Sequence, residues 1–301
     1  MRVFLRVAER GSLSAASTDL GLARGAASAI VAELERYLGV QLIERTTRSL
    51  RLTDDGRYYR DRARMIVAEV ESLEDEVGGA ERQPRGLLRV QAPAGLARLV
   101  IAPALPRFMK RYPDIRLEIF TRNAVPDFVG DEIDAAVVFG QVPVLDIVAR
   151  SVGRIPYLTV AAPGYLERHG KPAVPEDLEH HACVNVLSSA TRRPVPWRFC
   201  VNGQVVTADV AGPVAFESAE AAVAAAVRGA GILQLASYLV YEEIRSGRLV
   251  PVLDGVRPQA QQLYVVHRKH RLKPRKLRVF EEFLIALDAE TRRKWGVKTV
   301  E

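Results

Sequence analysis

The stretch LARGAASAIVAELERYLG, residues 22–39, decides the architecture of the first part of the chain. Its larger apolar side chains recur at the spacing of one helix face, which predicts a buried stripe. The buried stripe comprises Ala27, Val31, Leu34 and Leu38. The opposite row comprises Gly25, Ala29, Ala32 and Arg36. A helix with this outward row offers few groups that could hydrogen-bond a DNA base.

Two shorter helices are predicted upstream of this stretch. Phe4 and Val7 fall at helical spacing before the breaker Gly11. Ser12 can then cap a second helix that carries Leu13, Ala16 and Leu20. The turn LGL (20–22) leads into the third helix, so the order is helix, glycine-containing turn, helix. This arrangement indicates a helix-turn-helix.

Downstream, LGVQLIERTTRSLRLT (38–53) predicts two short strands joined by a turn. Gly39 ends the third helix, and the remaining residues alternate around Thr and Arg with too little room for another long helix. Two such strands would form a β-wing. Thr53 followed by Asp54 and Asp55 then marks a new helix, because acids stabilise the positive end of a helix dipole.

The new helix carries an apolar stripe with alternating spacings of four and three residues, a heptad pattern. The stripe comprises Tyr59, Ala63, Ile66, Val70, Leu73 and Val77. A narrow stripe of this kind packs either on its own chain or on a second subunit, and a dimer seam is one expected use. Gly78, Gly79 and Pro84 then predict a linker.

From residue 86 onwards, short apolar runs such as LLRVQAP and IDAAVVFG alternate with helical stretches. This alternation predicts an α/β domain with largely parallel sheets. The pair GAG at 229–231 lacks the third glycine of a dinucleotide loop and follows a helix, so it indicates a helix end. Neither the five histidines nor any nucleophile stands in a catalytic or metal-binding pattern. We therefore expect no enzyme activity, metal or cofactor.

Composition gives weaker guidance. The net charge is +7, and residues 1–66 hold twelve arginines and eight acids, consistent with a nucleic-acid partner or with a solvated basic surface. Two cysteines, Cys183 and Cys200, do not form a CxxC pair, so free thiols are expected. No apolar run is long enough for a membrane span, and the N-terminus lacks a signal-peptide pattern. A cytoplasmic location is expected.

Several of these stretches together resemble the LysR-type transcriptional regulators. The matching parts are GSLSAAS (11–17), Ser28, and the long string from Leu34 to Gly56, followed by the effector-domain segments PRGLLRVQAPAGLARLVIAPALPRFMKRYPDIRLEI and GYLERHGKPAVPEDLEHHAC. The resemblance covers essentially the whole chain. It implies an α/β protein with an N-terminal, mainly α-helical winged helix-turn-helix, a long linker helix and a two-lobed, Rossmann-like effector domain.

The resemblance and the patterns together suggest three parts. Residues 1–56 are the predicted DNA-binding domain, and 57–85 are the dimerisation helix and hinge. Residues 86–301 are the effector domain, with one lobe over 86–160 and 266–290 and the other over 161–265.

The resemblance also points to DNA-contacting positions. Those expected to contact DNA are Ser12, Arg24, Ser28, Arg36, Arg45, Thr46, Thr47, Arg48 and Arg51. Because a narrow A·T-rich minor groove attracts arginine, the wing arginines are expected to read DNA shape. The alternative is a solvated, charged hairpin. With so few base-reading groups on the third helix, shape and dimer spacing are expected to carry much of the specificity.

In the effector domain, residues that follow the strands of an α/β sheet are expected to line the cleft between the lobes. They are Pro93, Ala94, Gly95, Thr121, Arg122, Gly140, Gln141, Glu217 and Ser218. Many relatives carry a hydroxyl after the first strand and an arginine where Val138 stands. Their absence favours a less acidic or more apolar effector.

The expected partners are double-stranded promoter DNA, a second copy of the chain in a homodimer or homotetramer, a small-molecule co-inducer and RNA polymerase, but no membrane. An alternative is a small-molecule sensor that has lost sequence-specific DNA binding. A mobility shift with DNA from upstream of the gene separates the two.

Overall fold

The computed structural model describes residues 1–45, 50–77, 83–122, 128, 133–140, 142, 147–189, 191–258, 260–269 and 273–295. The chain forms two compact units. The first contains Met1–Arg82 and His270–Arg275, and the second contains Gln83–Lys269 and Lys276–Glu301. None of the described helices is both long and apolar enough to cross a membrane.

The first unit begins with three helices, α1 (Arg2–Arg10), α2 (Leu13–Asp19) and α3 (Ala26–Leu38). Gly11 ends α1 in the left-handed region, with φ of 60°, and its N–H donates to the Val7 carbonyl. Phe4, Val7, Ala16 and Val31 are fully buried together in one core. The predicted helix-turn-helix is confirmed.

The wing and the long helix follow. Strands β1 (Ile43–Arg45) and β2 (Leu50–Leu52) pair antiparallel, with Ile43 opposite Leu52. Helix α4 spans Asp54–Val77. These two strands are the wing expected from the alternation around Thr and Arg.

The second unit contains a five-stranded sheet in the order β4-β3-β5-β14-β6. Its strands are β3 (Gly86–Ala92), β4 (Ile115–Thr121), β5 (Ala135–Phe139), β6 (Ile147–Ile155) and β14 (Gln261–Arg268). Strand β3 runs parallel to β4 and β5, whereas β14 runs antiparallel to β5 and β6. A helical stretch follows β3 and consists of α5 (Ala94–Leu96), a π-helical turn (Ala97–Ile101) and α6 (Ala102–Arg111).

The other strands of this unit form smaller sheets. Strands β7 (Tyr157–Ala161), β12 (Leu233–Ala236) and β13 (Val250–Val252) make an antiparallel sheet in the order β12-β7-β13. β8 (Val184–Val186) pairs parallel with β11 (Val214–Phe216), and β9 (Trp197–Val201) forms a hairpin with β10 (Gln204–Ala208). The remaining helices are α7 (Pro163–His169), α8 (Ala219–Val227), α9 (Ser237–Arg245), α10 (Arg275–Trp295) and two 3₁₀ turns, Pro175–His180 and Asp254–Val256.

The expectation of largely parallel sheets is therefore wrong. A buried strand reads as a continuous apolar run whichever direction it follows, so the runs revealed strands without their orientation. The α/β class itself is confirmed.

Two hydrophobic cores divide the second unit into two lobes. Leu88, Phe108, Val265 and Phe280 belong to the first core. Trp197, Phe199, Ile232 and Leu249 belong to the second core. Strand β7 lies in the sheet of the second lobe, and all of β14 lies in the sheet of the first lobe. The chain therefore passes from one lobe to the other a few residues away from the positions predicted, which were about 160/161 and 265/266.

Candidate DNA-binding surface and effector cleft

The buried face of α3 matches its predicted stripe. Ala27 and Val31 are fully buried, and Leu34 and Leu38 pack against the same core. The opposite row of Gly25, Ala29, Ala32 and Arg36 is exposed. Arg36 forms an ion pair with Glu33 on the same helix surface. Ala29 and Ala32 thus form a short strip of small side chains on the outward face of α3, and exposed Ile30, Glu33 and Tyr37 flank it.

Helix α3 begins at Ala26, later than the sequence suggested. Gly25 adopts φ of 87°, which a right-handed helix cannot continue, so exposed Arg24 lies in the turn before the helix. Gly25 offers no side-chain cap, but the Ala27 N–H donates to the Oγ of buried Ser17 over 3.4 Å. Sequence reasoning missed this role of Ser17, and a serine on the inner face of the second helix was its only signal.

The two predicted DNA-contacting serines sit differently. Ser12 caps α2 by accepting a hydrogen bond from the Ala15 N–H over 3.3 Å, as predicted for a cap. Ser28 lies half-buried in the first turns of α3. Their contacts with DNA stay predictions.

The base of the wing is held by side chains that the sequence reading did not single out. The Glu35 carboxylate accepts hydrogen bonds from the N–H groups of Leu42 and Ile43 over 2.8 and 2.9 Å. Thr53 Oγ1 donates to the Gln41 carbonyl over 2.7 Å and accepts from the Gly56 N–H over 2.9 Å. The Glu35 bonds join the start of β1 to α3. The Thr53 bonds join the start of α4 to the turn that precedes β1.

Gly56 is the last residue of the Leu34–Gly56 string that carries the family resemblance, and its surroundings require a glycine. A Cβ built on Gly56 would lie 2.0 Å from the backbone carbonyl oxygen of Leu42, closer than any side chain can approach. The close approach of α4 to the turn before β1 therefore requires glycine.

Only some of the wing residues that we predict to contact DNA lie within the described part of the chain. Arg51 is exposed on β2. The backbone of Arg45 belongs to β1, but its side chain and all of Thr46, Thr47 and Arg48 lie outside the described residues.

The apolar stripe of α4 divides into two parts. The Tyr59 ring packs edge-on against Phe4, with centroids 5.3 Å apart, and Ala63 is 1% exposed in the same core. Its own chain therefore encloses Ala63, and the predicted place of Tyr59 and Ala63 in a dimer seam stays a prediction.

The later part of the stripe is open. Ile66, Val70 and Leu73 are 49%, 41% and 52% exposed. The side chain of Val77 lies outside the described residues.

In the second unit, the parallel strands bring three of the predicted cleft segments to one sheet edge. Pro93 follows β3, Thr121 ends β4 and Gly140 follows β5, and these strands are direct neighbours. The Arg122 N–H donates to the Ala92 carbonyl over 3.2 Å. Thr121 and Arg122 are exposed, Gly140 has φ of 72°, and Gln141 lies outside the described residues.

Contacts at Gly95 bring the second lobe to this edge. A Cβ on this buried glycine would meet Leu239 Cδ2 at 2.6 Å and Glu220 Oε1 at 3.3 Å. Glu217 and Ser218 are both exposed and precede α8. Ser218 Oγ caps that helix by accepting a hydrogen bond from the Ala221 N–H over 3.3 Å. Helix α8 also carries Glu220, which sequence reasoning missed because an acid in a first helical turn is common.

Aromatic side chains join the lobes next to Gly95. The rings of Phe139 and Tyr238 stack with centroids 6.4 Å apart. Burial raises the pKa of the Tyr238 hydroxyl, and the charges of Tyr157 and Glu220 raise it further. The lobes therefore meet through an aromatic contact beside the predicted cleft residue Gly95.

A depression of about 930 Å³ lies between α7, α8 and α9 and reaches Arg98 and Glu220 at one end. Of the predicted cleft residues, the eight that the structure describes do not line it. Within the described residues, no group of three or more His, Cys, Asp or Glu is placed to hold a metal ion. Both cysteines are free thiols.

Family models match both units. Residues 1–57 match the model described as a bacterial regulatory helix-turn-helix protein of the lysR family, and 81–288 match the LysR substrate binding domain. Both halves of the expected architecture are thus present, and the alternative of a small-molecule sensor with weakened or lost sequence-specific DNA binding is not favoured.

Named relatives agree over nearly their whole length. The chain is 31% identical over 290 residues to the uncharacterized HTH-type transcriptional regulator YhjC of Escherichia coli, covering 96% of this chain and 97% of that protein. It is also 31% identical to the HTH-type transcriptional repressor PA14_22550 of Pseudomonas aeruginosa, covering 96% and 92%.

Solved structures show the same fold. CrgA, a LysR-type transcriptional regulator from Neisseria meningitidis, is 30% identical with a TM-score of 0.61, covering 94% of this chain and 96% of that one. The Vibrio cholerae virulence activator AphB is 25% identical with a TM-score of 0.58, covering 94% and 97%.

Proposed function

Since this chain belongs to the LysR family of transcriptional regulators, we propose that it binds promoter DNA through α3 and the wing, under the control of a small molecule in the cleft between the lobes. It acts in the cytoplasm as a dimer or tetramer, with RNA polymerase as a further partner. The observation that carries the DNA-binding assignment is the exposed row of Ala29, Ala32 and Arg36 on the face of α3 opposite its buried stripe, next to a wing fixed at its base.

That face allows the α3 backbone to approach a groove closely, because no long side chain stands on Ala29 or Ala32. Arg24, at the turn before α3, and Arg51, on the wing, supply exposed positive charge. Arginines placed in this way set register through phosphates, while base-edge contacts are few. Shape and half-site spacing then supply much of the specificity.

Mobility-shift titration with DNA from upstream of the gene tests this function. Arg24→Ala is expected to weaken binding to all sequences and to reduce the slope of log affinity against log salt by about one. Arg85→Ala is the matched control, because Arg85 is also exposed but lies outside the proposed surface. Identical salt slopes for the wild type and Arg24→Ala would remove Arg24 from the DNA contact.

The exposed part of the α4 stripe supports self-association. Three large apolar side chains at heptad spacing, Ile66, Val70 and Leu73, stand on one side of α4 with their surfaces open. A second copy of α4 would bury them as a coiled-coil seam. Dimerisation places two α3 helices on one DNA molecule, as spaced half-sites require.

The effector assignment is supported by the sheet edge in the first lobe and its contact with α8. A ligand controls DNA binding only if it binds two conformations with different affinity. Adding metabolites to the mobility-shift assay tests this. Unchanged DNA affinity with every metabolite that raises the Tm of the protein would contradict effector control.

A further inference from the structure

Glu220 reaches from the second lobe towards the first. It lies in the first turn of α8, where Ser218 Oγ donates a hydrogen bond to its Oε2 over 3.3 Å. Its other oxygen, Oε1, lies 3.3 Å from the position that a Cβ on Gly95 would occupy. The carboxylate therefore sits against the start of the helical stretch that follows β3.

In the part of the chain that the structure describes, the Glu220 carboxylate forms one ion pair within 4.0 Å. Arg98 Nε lies 4.0 Å from Glu220 Oε1, at the outer limit of an ion pair, and the two side chains are 62% and 32% exposed. Such a long, exposed pair neutralises a carboxylate weakly. The negative charge of Glu220 thus lies next to Gly95, in the first turn of the helical stretch that begins at Ala94.

This placement matters because a helix start attracts anions through its unpaired N–H groups and its dipole. Here a carboxylate of the protein itself already lies beside that start. A carboxylate on a ligand would approach Glu220 as a like charge, and such juxtapositions are strongly unfavourable. Val138, on β5 in the same sheet, adds no positive charge to offset the repulsion.

We propose that Glu220 sets the charge class of the effector, so that the cleft takes a neutral or cationic ligand carrying hydrogen-bond donors and rejects simple carboxylates. This inference rests on the proposed effector cleft. It assigns to Glu220 a selectivity role in addition to its contribution to the first turn of α8.

Isothermal titration calorimetry of the full chain tests the proposal with matched probe pairs: acetate and acetamide, propanoate and propanamide, benzoate and benzamide. Each pair keeps the shape of the probe and changes its charge. In the wild type, each carboxylate is expected to bind at least about tenfold more weakly than its amide. In Glu220→Gln, which keeps the side-chain length and an acceptor for Ser218, this ratio is expected to fall by at least about tenfold.

Glu167→Gln is the control, because Glu167 is an exposed acid on α7 outside the proposed cleft. It should keep the wild-type ratio, and equal Tm values for all three proteins show that folding is unchanged. The same ratio in the wild type and Glu220→Gln, including no binding of any carboxylate by either, overturns the role of Glu220, and so does no binding of any amide by the wild type.

The proposed regulatory function fails by a different result. If no metabolite that raises the Tm changes the affinity for upstream DNA, effector control is lost while the charge selectivity of Glu220 stands.

Discussion

The two halves of α4 carry the same apolar spacing in different surroundings. In the first half, Tyr59 packs on Phe4 and Ala63 is enclosed by the core of the helix-turn-helix. In the second half, Ile66, Val70 and Leu73 leave 41–52% of their surface exposed. One continuous stripe therefore has two parts: the first packs into the core of the helix-turn-helix, and the second is the open apolar surface on which we propose that a second copy packs.

The difference shows what a heptad pattern can and cannot reveal. Periodicity identifies the side of a helix that avoids water, because that depends on spacing alone. It does not identify what covers that side. Here the covering changes between Ala63, which is 1% exposed, and Ile66, which is 49% exposed.

The largest effect is expected at the buried half of the α4 stripe. Phe4→Ala removes a fully buried ring and its edge-on contact with Tyr59, which should destabilise the first unit by about 3–5 kcal/mol. Chemical denaturation of the full chain, followed by the circular dichroism of its helices, measures this loss. Tyr37→Ala, at an 84% exposed position on α3, should change stability by less than about 0.5 kcal/mol. Similar losses for both variants would contradict the assigned core.

A smaller effect is expected at the exposed half. Leu73→Glu should raise the dimer dissociation constant at least about tenfold, because a charge replaces an apolar group that association would bury. The stability of the single chain should stay within about 0.5 kcal/mol. Sedimentation equilibrium measures the association.

Tyr58→Glu provides the matched control, since Tyr58 is exposed on α4 but outside the stripe. A Leu73→Glu variant that loses thermal stability and keeps its oligomeric state would show that its own chain covers the stripe.

The smallest effect is expected at an ion pair in the exposed half of α4. Arg2 and Glu74 form an exposed ion pair at 3.3 Å, which links α1 to the open half of the helix. Glu74→Ala should cost at most about 1 kcal/mol, because exposed pairs contribute little. Urea denaturation at low and high salt measures this cost, and a loss above about 2 kcal/mol would mean that the pair is not solvated as described.

Sequence patterns predicted the local elements of the first unit well. The stripe of Ala27, Val31, Leu34 and Leu38 and the wing strands follow from local spacing and turn residues, which act over a few positions. Contacts that join distant segments were not predictable in the same way. Glu35 bonding to the start of β1, and Gly56 making room for the Leu42 carbonyl, depend on the folded path of the chain.

The same limit applies to the second unit. The apolar runs located the strands, but their directions and the positions where the chain changes lobe depend on long-range pairing. Residues at strand ends, such as Pro93 and Thr121, were placed at one sheet edge from general rules of α/β folds. Glu220 could not be found in this way, because its importance comes from a contact with Gly95 across the two lobes.

In the proposed arrangement, two or more chains joined through the open half of α4 bind one DNA molecule through their α3 helices and wings. Sedimentation velocity of the full chain mixed with a DNA fragment from upstream of its gene measures the stoichiometry directly. We expect at least two chains on each DNA molecule for the wild type and a shift towards one for Leu73→Glu. A single wild-type chain bound to each DNA molecule at saturation would contradict it.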